Sequence, residues 1–365
     1  MKRCGIITIH KVPNYGATFQ AFALLKFINN LKRVDVEIID YQMNGTLVYD
    51  KSCNRVIRKI WGILNNFPLY LSRKKKDKKF AEFWKKNYIL SLRSYNGDED
   101  IFSNPPCYDI YIAGSDQLFN LELTNNSSAF YLQFAKGRKI SYSTSFGMKG
   151  IQKSFRPLME KTLPSFSSIS VREKSACEYI KKEMGLECRT TVDPVLLLNR
   201  DEWSVYSRKV RLPAKYIFVY IMSDNENINP TIQWVKQKAN LPVVAIKTFD
   251  NNPHVKARFI EDAGPSEFLY LVEHAEFVIT NSYHGSLLSI INRKSLFVLE
   301  EEAFINDQRY VEMLDKAGMT GKIVPHKTDW NSFDFNNYII DGAKAYDRLS
   351  EWINESRSYI DDNIR

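Results

Sequence analysis

Apolar and polar positions along this chain fall into blocks that switch between the two-residue period of a strand and the 3.6-residue period of a helix. Residues 5–9 form an apolar run. Phe19, Phe22, Ala23, Phe27 and Leu31 then recur at helical spacing, and residues 34–39 are strand-like again. This is a βαβ unit, whose strands run parallel through a right-handed crossover and whose ligand would lie at the strand carboxyl ends. Strand patterns return at 110–113, 140–143, 169–171 and 191–192, and most of them end in polar or Gly-rich sequence.

The pattern weakens over 199–215, which holds Arg208, Lys209, Arg211 and Pro213 and reads as a linker. A second alternating block follows, with strands at 216–221, 243–246, 277–280 and 296–299 and helices at 231–239, 265–274 and 286–292. A last helix, 343–360, could pack back across the first domain. The expected fold class is α/β, with two doubly wound Rossmann-like domains facing a cleft. Expected boundaries are 1–205, carrying a basic insertion at 50–95, then 206–340, then a C-terminal helix in 341–365.

A chain of 365 residues that is 44% hydrophobic and 13% aromatic can fill two cores, which excludes a disordered protein. No window reaches about 18 uninterrupted apolar residues, and the opening residues run straight into strand-like sequence without a signal-peptide pattern. The protein therefore reads as cytoplasmic. Five cysteines at irregular spacing, with no C-x-x-C pair and no nearby histidine set, read as reduced thiols, with no metal site and no disulfide framework.

The net charge of +9 is local. Eleven basic residues (Arg55, Arg58, Lys59, Arg73, Lys74, Lys75, Lys76, Lys78, Lys79, Lys85, Lys86) stand between 55 and 86 against Asp77 and Glu82, and the rest of the chain balances at 40 against 40. Aromatic and aliphatic residues interleave with this charge, among them Trp61, Phe67, Phe80, Phe83 and Trp84. An anionic membrane surface or a lipid-linked acceptor suits such a segment, and a solvated helical hairpin on its own domain suits it equally. Without a recognition module, nucleic acid is not an expected partner.

Polar motifs at strand ends supply the candidate chemistry. Asn14-Tyr15-Gly16 lies between the first strand and the first helix, where backbone N–H groups favour anions or sugar hydroxyls; Asn14 as a plain helix cap is the competing reading. Gly114-Ser115-Asp116-Gln117 follows a strand, so Asp116 could deprotonate or orient a hydroxyl, or merely cap the next helix. Arg172 could clamp a carboxylate or phosphate, or pair with Glu173 or a nearby acid. The sharpest feature is Asn281-Ser282-Tyr283-His284-Gly285-Ser286, an apolar strand turning into a helix. Ser282, His284 and the N–H groups of Gly285 and Ser286 would converge there on phosphate. Arg309 could reach the same anion. His10 is a weaker candidate, and His254, His274 and His326 have no supporting context.

Taken together, Asn14-Tyr15-Gly16, Tyr108-Asp109 leading to Gly114-Ser115-Asp116-Gln117, Ser145-Phe146-Gly147, Ser170-Val171-Arg172-Glu173, Asp193-Pro194 and Asn281-Ser282-Tyr283-His284-Gly285 resemble the polysaccharide pyruvyl transferase family, in its order, over residues 5 to about 317. The resemblance implies a glycosyltransferase-B-like fold, phosphoenolpyruvate as donor co-substrate without a further cofactor, and a pyruvate ketal on a sugar of a surface or capsular polysaccharide as product. It implies that Ser282, Tyr283, Gly285, Ser286 and Arg309 of the C-terminal domain hold the donor, together with Arg172 of the N-terminal one. Asn14, Tyr15, Gly16 and Gln117 would hold the acceptor in the N-terminal one, with His284 and Asp116 as acid and base. In some members an arginine stands two positions before the histidine; here that position is Ser282, and Arg309 or Arg172 would have to supply the charge.

Two rival readings use the same residues. A nucleotide-sugar glycosyltransferase would keep the fold and place Glu267, Glu273 or Glu276 against a ribose. A non-catalytic scaffold of capsule assembly would rest on the basic segment, peripheral on the inner face of the membrane.

Overall fold

The computed structural model describes residues 1–43, 67–147, 150–223, 225–246, 256–301 and 308–365. Residues 55–66 of the basic segment, together with His254, lie outside the described residues. The chain forms two compact units, one of Met1–Trp61, Trp84–Leu197 and Glu351–Arg365, the other of Gly62–Phe83 and Leu198–Ser350.

From the start of the chain β1 (Lys2–Ile7), α1 (Tyr15–Leu31), β2 (Val34–Gln42), α2 (Phe67–Asn87), β3 (Leu90–Asn96), α3 (Gly97–Ser103), β4 (Ile110–Ala113) and β5 (Arg138–Ser141) follow in order, and all of them except α2 up to Phe83 belong to the first unit. The sheet order is β3-β2-β1-β4-β5 and every pairing is parallel, with Ile6 opposite both Ile38 and Ile112. Buried apolar side chains on both faces explain the continuous apolar strands, since a parallel sheet is covered on each side by helices. After α4 (Arg156–Thr162), the short strands β6 (Ser170–Val171) and β7 (Arg189–Thr190) pair with each other around α5 (Lys174–Met184).

The second unit continues with α6 (Arg200–Ser204), β8 (Ile217–Tyr220), α7 (Ile228–Ala239), β9 (Val243–Ile246), β10 (Arg258–Ile260), α8 (Pro265–Glu273), β11 (Phe277–Thr280), α9 (Tyr283–Ile291), β12 (Ser295–Leu299), α10 (Gln308–Lys316), β13 (Ile323–Val324) and β14 (Ile340–Asp341). The sheet runs β10-β9-β8-β11-β12-β13, parallel throughout, with β14 added antiparallel on β12. The last helix, α11 (Gly342–Ile364), returns residues 351–365 to the first unit, where the Tyr359 hydroxyl donates to the Ser141 carbonyl and the Ser356 hydroxyl accepts from the Val192 N–H.

Two boundaries differ from the sequence expectation. The first unit ends at Leu197, because α6, inside the expected first domain, packs against α8 of the second unit. Within α2, residues up to Phe83 group with the second unit, where Lys79 Nζ bonds the Asp262 carbonyl at 2.8 Å and its carboxylate at 3.0 Å.

Candidate functional site

In an open parallel sheet the strand order reverses at one point, where the loops above neighbouring strands lead off in opposite directions and leave a crevice. The first unit reverses between β1 and β4, the second between β8 and β11. The motifs read from sequence stand at the carboxyl ends of these four strands or of their neighbours.

In the second unit, β11 ends at Thr280 and α9 begins at Tyr283, leaving a two-residue turn. The Thr280 hydroxyl donates to the Tyr220 carbonyl at 2.6 Å and accepts from the Ser282 N–H at 3.0 Å. The Asn281 carboxamide accepts from the Met222 N–H at 2.7 Å and donates to the Ser223 carbonyl at 3.0 Å, so it ties the loop after β8 to the turn after β11. Ser282 caps the helix, its hydroxyl accepting from the Gly285 N–H at 3.3 Å. Burial pushes the Tyr220 phenol well above its ordinary range, and a hydrogen bond with Ser282 offsets only part of that rise. A Cβ on Gly285 would sit 3.0 Å from Thr280 Oγ1 and 3.2 Å from Tyr220, which is why the first turn of α9 can lie so close to the sheet.

Tyr283 is the hub of this turn. Its ring, 6% exposed, meets His284 edge-on at 5.5 Å and Tyr310 edge-on at 5.4 Å, while the Arg309 guanidinium lies over it at 5.4 Å. A guanidinium over a ring is held by cation–π attraction, and its fork of donors is the geometry that suits a carboxylate or phosphate. The structure thus places Arg309 over Tyr283, the first residue of α9, whose ring also meets that of half-buried His284. The Gly285 and Ser286 N–H groups are used differently from the expectation. Both bond to Ser282, the first to its hydroxyl and the second to its carbonyl at 2.9 Å, because the cap completes the first turn internally. The buried Ser286 hydroxyl also donates to the Ser282 carbonyl.

In the first unit Asp116 follows β4 after Gly114 and Ser115 and has φ 79, a left-handed conformation that costs a non-glycine residue of order 1–3 kcal/mol. Two backbone hydrogen bonds hold it there, the Ser145 N–H and the Leu118 N–H both donating to its carbonyl. Its carboxylate accepts from the Gln117 N–H at 2.9 Å. Gln117 in turn accepts from Asn120 at 3.1 Å, and Gly147, at φ +84, lies so close that a Cβ there would come within 2.5 Å of both side chains. Asn14 caps α1 by accepting from the Ala17 N–H at 3.1 Å, and Tyr15 is buried against Phe19. Gly16 is buried in the first turn of the same helix.

Arg172 is part of the wall of the first unit. Its guanidinium bonds Asp193 at 2.7 Å and the Ser115 hydroxyl at 2.5 Å, and Ser115 passes a hydrogen bond on to the Ser143 carbonyl at 2.9 Å. Three strand ends are knotted together in this way. The pairing partner is Asp193, and Glu173 instead accepts from the Ser145 hydroxyl.

Sequence reasoning passed over a further cluster. The two ring nitrogens of buried His10 lie within hydrogen-bond distance of the Thr8 carbonyl at 2.9 Å and of the Asp40 carboxylate at 3.1 Å. Lys11 and Ser94 bond the other Asp40 oxygen at 2.6 and 2.5 Å. Burial alone would raise the Asp40 carboxyl, but the hydrogen bonds from His10, Lys11 and Ser94 and the Lys11 charge outweigh it and hold the group well below the usual carboxylate range. Asp40 carries no motif of its own; it is one of three acidic residues in β2, beside Asp35 and Glu37. The three glutamates proposed for a ribose are otherwise engaged. Glu267 faces Lys79 and Arg208 at 3.5 and 3.6 Å, and Glu273 and Glu276 precede the amino end of β11, away from the Ser282 turn.

The family model for polysaccharide pyruvyl transferase matches residues 14–302, a span that includes Asn14, Asp116, Arg172 and the His284 turn. No curated protein matches the sequence. Among solved structures, the UDP-GlcNAc 2-epimerase of Methanocaldococcus jannaschii is similar with a TM-score of 0.53 at 12% identity, over 97% of this chain and 100% of that one. S. aureus MnaA, in a co-structure with UDP, gives 0.52 at 12% identity over 99% and 97%. The Neisseria meningitidis UDP-GlcNAc 2-epimerase gives 0.50 at 9% over 97% and 100%. These likenesses show the fold, which is glycosyltransferase-B-like with two Rossmann-like units.

Proposed function

Since the chain belongs to the polysaccharide pyruvyl transferase family, we propose that it transfers the pyruvyl group of phosphoenolpyruvate to two hydroxyls of a sugar in a surface polysaccharide, forming a ketal. The observation that carries the donor assignment is the Arg309 guanidinium over the ring of Tyr283, which itself meets the ring of His284, in the first turn of α9. Arginine and imidazole at a helix N-terminus are complementary to a small ligand with a carboxylate and a phosphate. Arg309 then supplies the charge that Ser282 lacks.

In the proposed reaction the methylene carbon of phosphoenolpyruvate accepts a proton, which leaves an oxocarbenium-like centre. One sugar hydroxyl adds, the carbon–oxygen bond to phosphate breaks, and the second hydroxyl closes the ketal. Of the two hydroxyl protons released, one balances the proton taken by the methyl group and the other leaves on phosphate. His284 serves the donor as acid or phosphate ligand, and Asp116 serves the acceptor as base. Asn14, Tyr15, Gly16 and Gln117 belong to the acceptor side of this reading, Asn14 and Tyr15 by setting the first turn of α1. Arg172 contributes by fixing strand ends.

A thermal shift titration with phosphoenolpyruvate, run beside nucleotide sugars on the wild type and His284→Ala, tests the reading, because a ligand that binds only the folded state raises the melting temperature. Stabilisation by phosphoenolpyruvate that disappears in the variant is expected. A response to a nucleotide sugar alone would move the donor assignment to glycosyl transfer.

A further inference from the structure

The charge concentrated on α2 has a geometry of its own. From Tyr70 onward the helix carries Arg73, Lys74, Lys75, Lys76, Lys78, Lys79, Lys85 and Lys86 against Asp77 and Glu82. One side is committed to the protein: Phe80 and Phe83 are 0% and 4% exposed, and Lys79 pairs with Asp262 and Glu267. At about 100° per residue, Lys74, Lys78 and Lys85 fall on one line on the side opposite Phe80, and Lys75, Glu82 and Lys86 lie next to them. All five lysines are exposed, and Leu71 on the same side is 41% exposed. Among the described residues Lys75, Lys85 and Lys86 make no ion pair; Lys78 meets Glu82 at 3.9 Å and Lys74 lies over the Tyr70 ring at 4.7 Å.

We propose that this face docks the protein on an anionic lipid surface, with the lysines reaching lipid phosphates and Leu71 entering the headgroup boundary. The charges run straight along the helix for about 16 Å, matching a flat array of phosphates. An exposed leucine among them gains only from a partner that offers hydrocarbon. No helix of the described residues is long and apolar enough to cross a membrane, so attachment through this face is superficial and reversible by salt. The inference stands on α2 alone and does not depend on the donor or the acceptor of the transferase reaction.

The test is co-sedimentation of the full chain with vesicles of equimolar phosphatidylcholine and phosphatidylglycerol, against vesicles of phosphatidylcholine alone. Binding to the anionic vesicles at low salt and its loss at high salt are expected. The combined variant Lys74→Gln, Lys78→Gln, Lys85→Gln should lower the partition coefficient on the order of 100-fold, about fivefold for each charge removed. The matching arginine variant should retain binding, and both variants should melt with the wild type, since all three sites are exposed. Three outcomes overturn the proposal: no binding to the anionic vesicles, undiminished binding by the glutamine variant, or displacement from vesicles by duplex DNA at equal phosphate concentration.

Discussion

Arg172 and Asp193 are bonded at 2.7 Å with side chains 1% and 0% exposed, and the same guanidinium holds the Ser115 hydroxyl. A charge buried this deeply is tolerated only with its partner. Asp193→Asn is therefore expected to destabilise the chain by about 3–5 kcal/mol, whereas replacing both residues by apolar ones of similar volume costs much less. Urea unfolding of the single and double variants measures the difference.

Asp116 combines a left-handed backbone with a carboxylate at a strand end. Asp116→Gly relieves the conformation and removes the proposed base. The expected result is a protein at least as stable as the wild type, with turnover reduced by about 10²-fold or more. A residue that merely shaped the turn would leave turnover intact in the glycine variant, so melting temperature and activity on the same preparation separate the two roles.

In the proposed reading Arg309, whose guanidinium lies over the Tyr283 ring, is the donor's cation. Arg309→Ala should weaken phosphoenolpyruvate binding about 10- to 100-fold, the worth of one charge-assisted hydrogen-bond set. Arg309→Lys should restore little, because an ammonium neither stacks on the ring nor offers paired donors. Calorimetric titration of the three proteins with phosphoenolpyruvate reads both effects.

The Asp40 cluster gives the first unit an acid-sensitive joint. Because the folded carboxyl titrates below its unfolded value, its stabilising contribution is fully present above about pH 4, the unfolded range, and is lost as pH falls through the folded value. The stability gap between the wild type and Asp40→Asn should hold constant toward neutrality and shrink in acid. Denaturant unfolding at a series of pH values follows it; a gap that widened in acid would contradict the hydrogen-bond account.

The legibility of this chain follows from what sequence period can and cannot encode. Strand ends were readable, since an apolar run breaking into Gly114-Ser115-Asp116-Gln117 or Asn281-Ser282-Tyr283-His284 marks both the strand and the crevice above it. Long-range pairing was not. Nothing near Lys79 announces Asp262, 183 positions away, and nothing near Arg172 selects Asp193 over the adjacent Glu173. For Arg172 the partner follows from sheet order, since β6 pairs with β7 and Asp193 comes shortly after β7. The partners of the Gly285 and Ser286 N–H groups are hidden for a similar reason: the residue that caps a helix also takes up its first donors, and Ser282 accepts from both.

The return of α11 has a consequence for how the molecule is made. Tyr359, Ser356 and Trp352 complete the environment of β5, β6 and β7, yet they are synthesised only after residues 198–350 of the second unit. The first unit must therefore wait, partly assembled, while its neighbour is synthesised, and its closing contacts are non-local ones that form slowly. Limited proteolysis of nascent or C-terminally shortened chains should accordingly find the first-made unit to be the more vulnerable of the two.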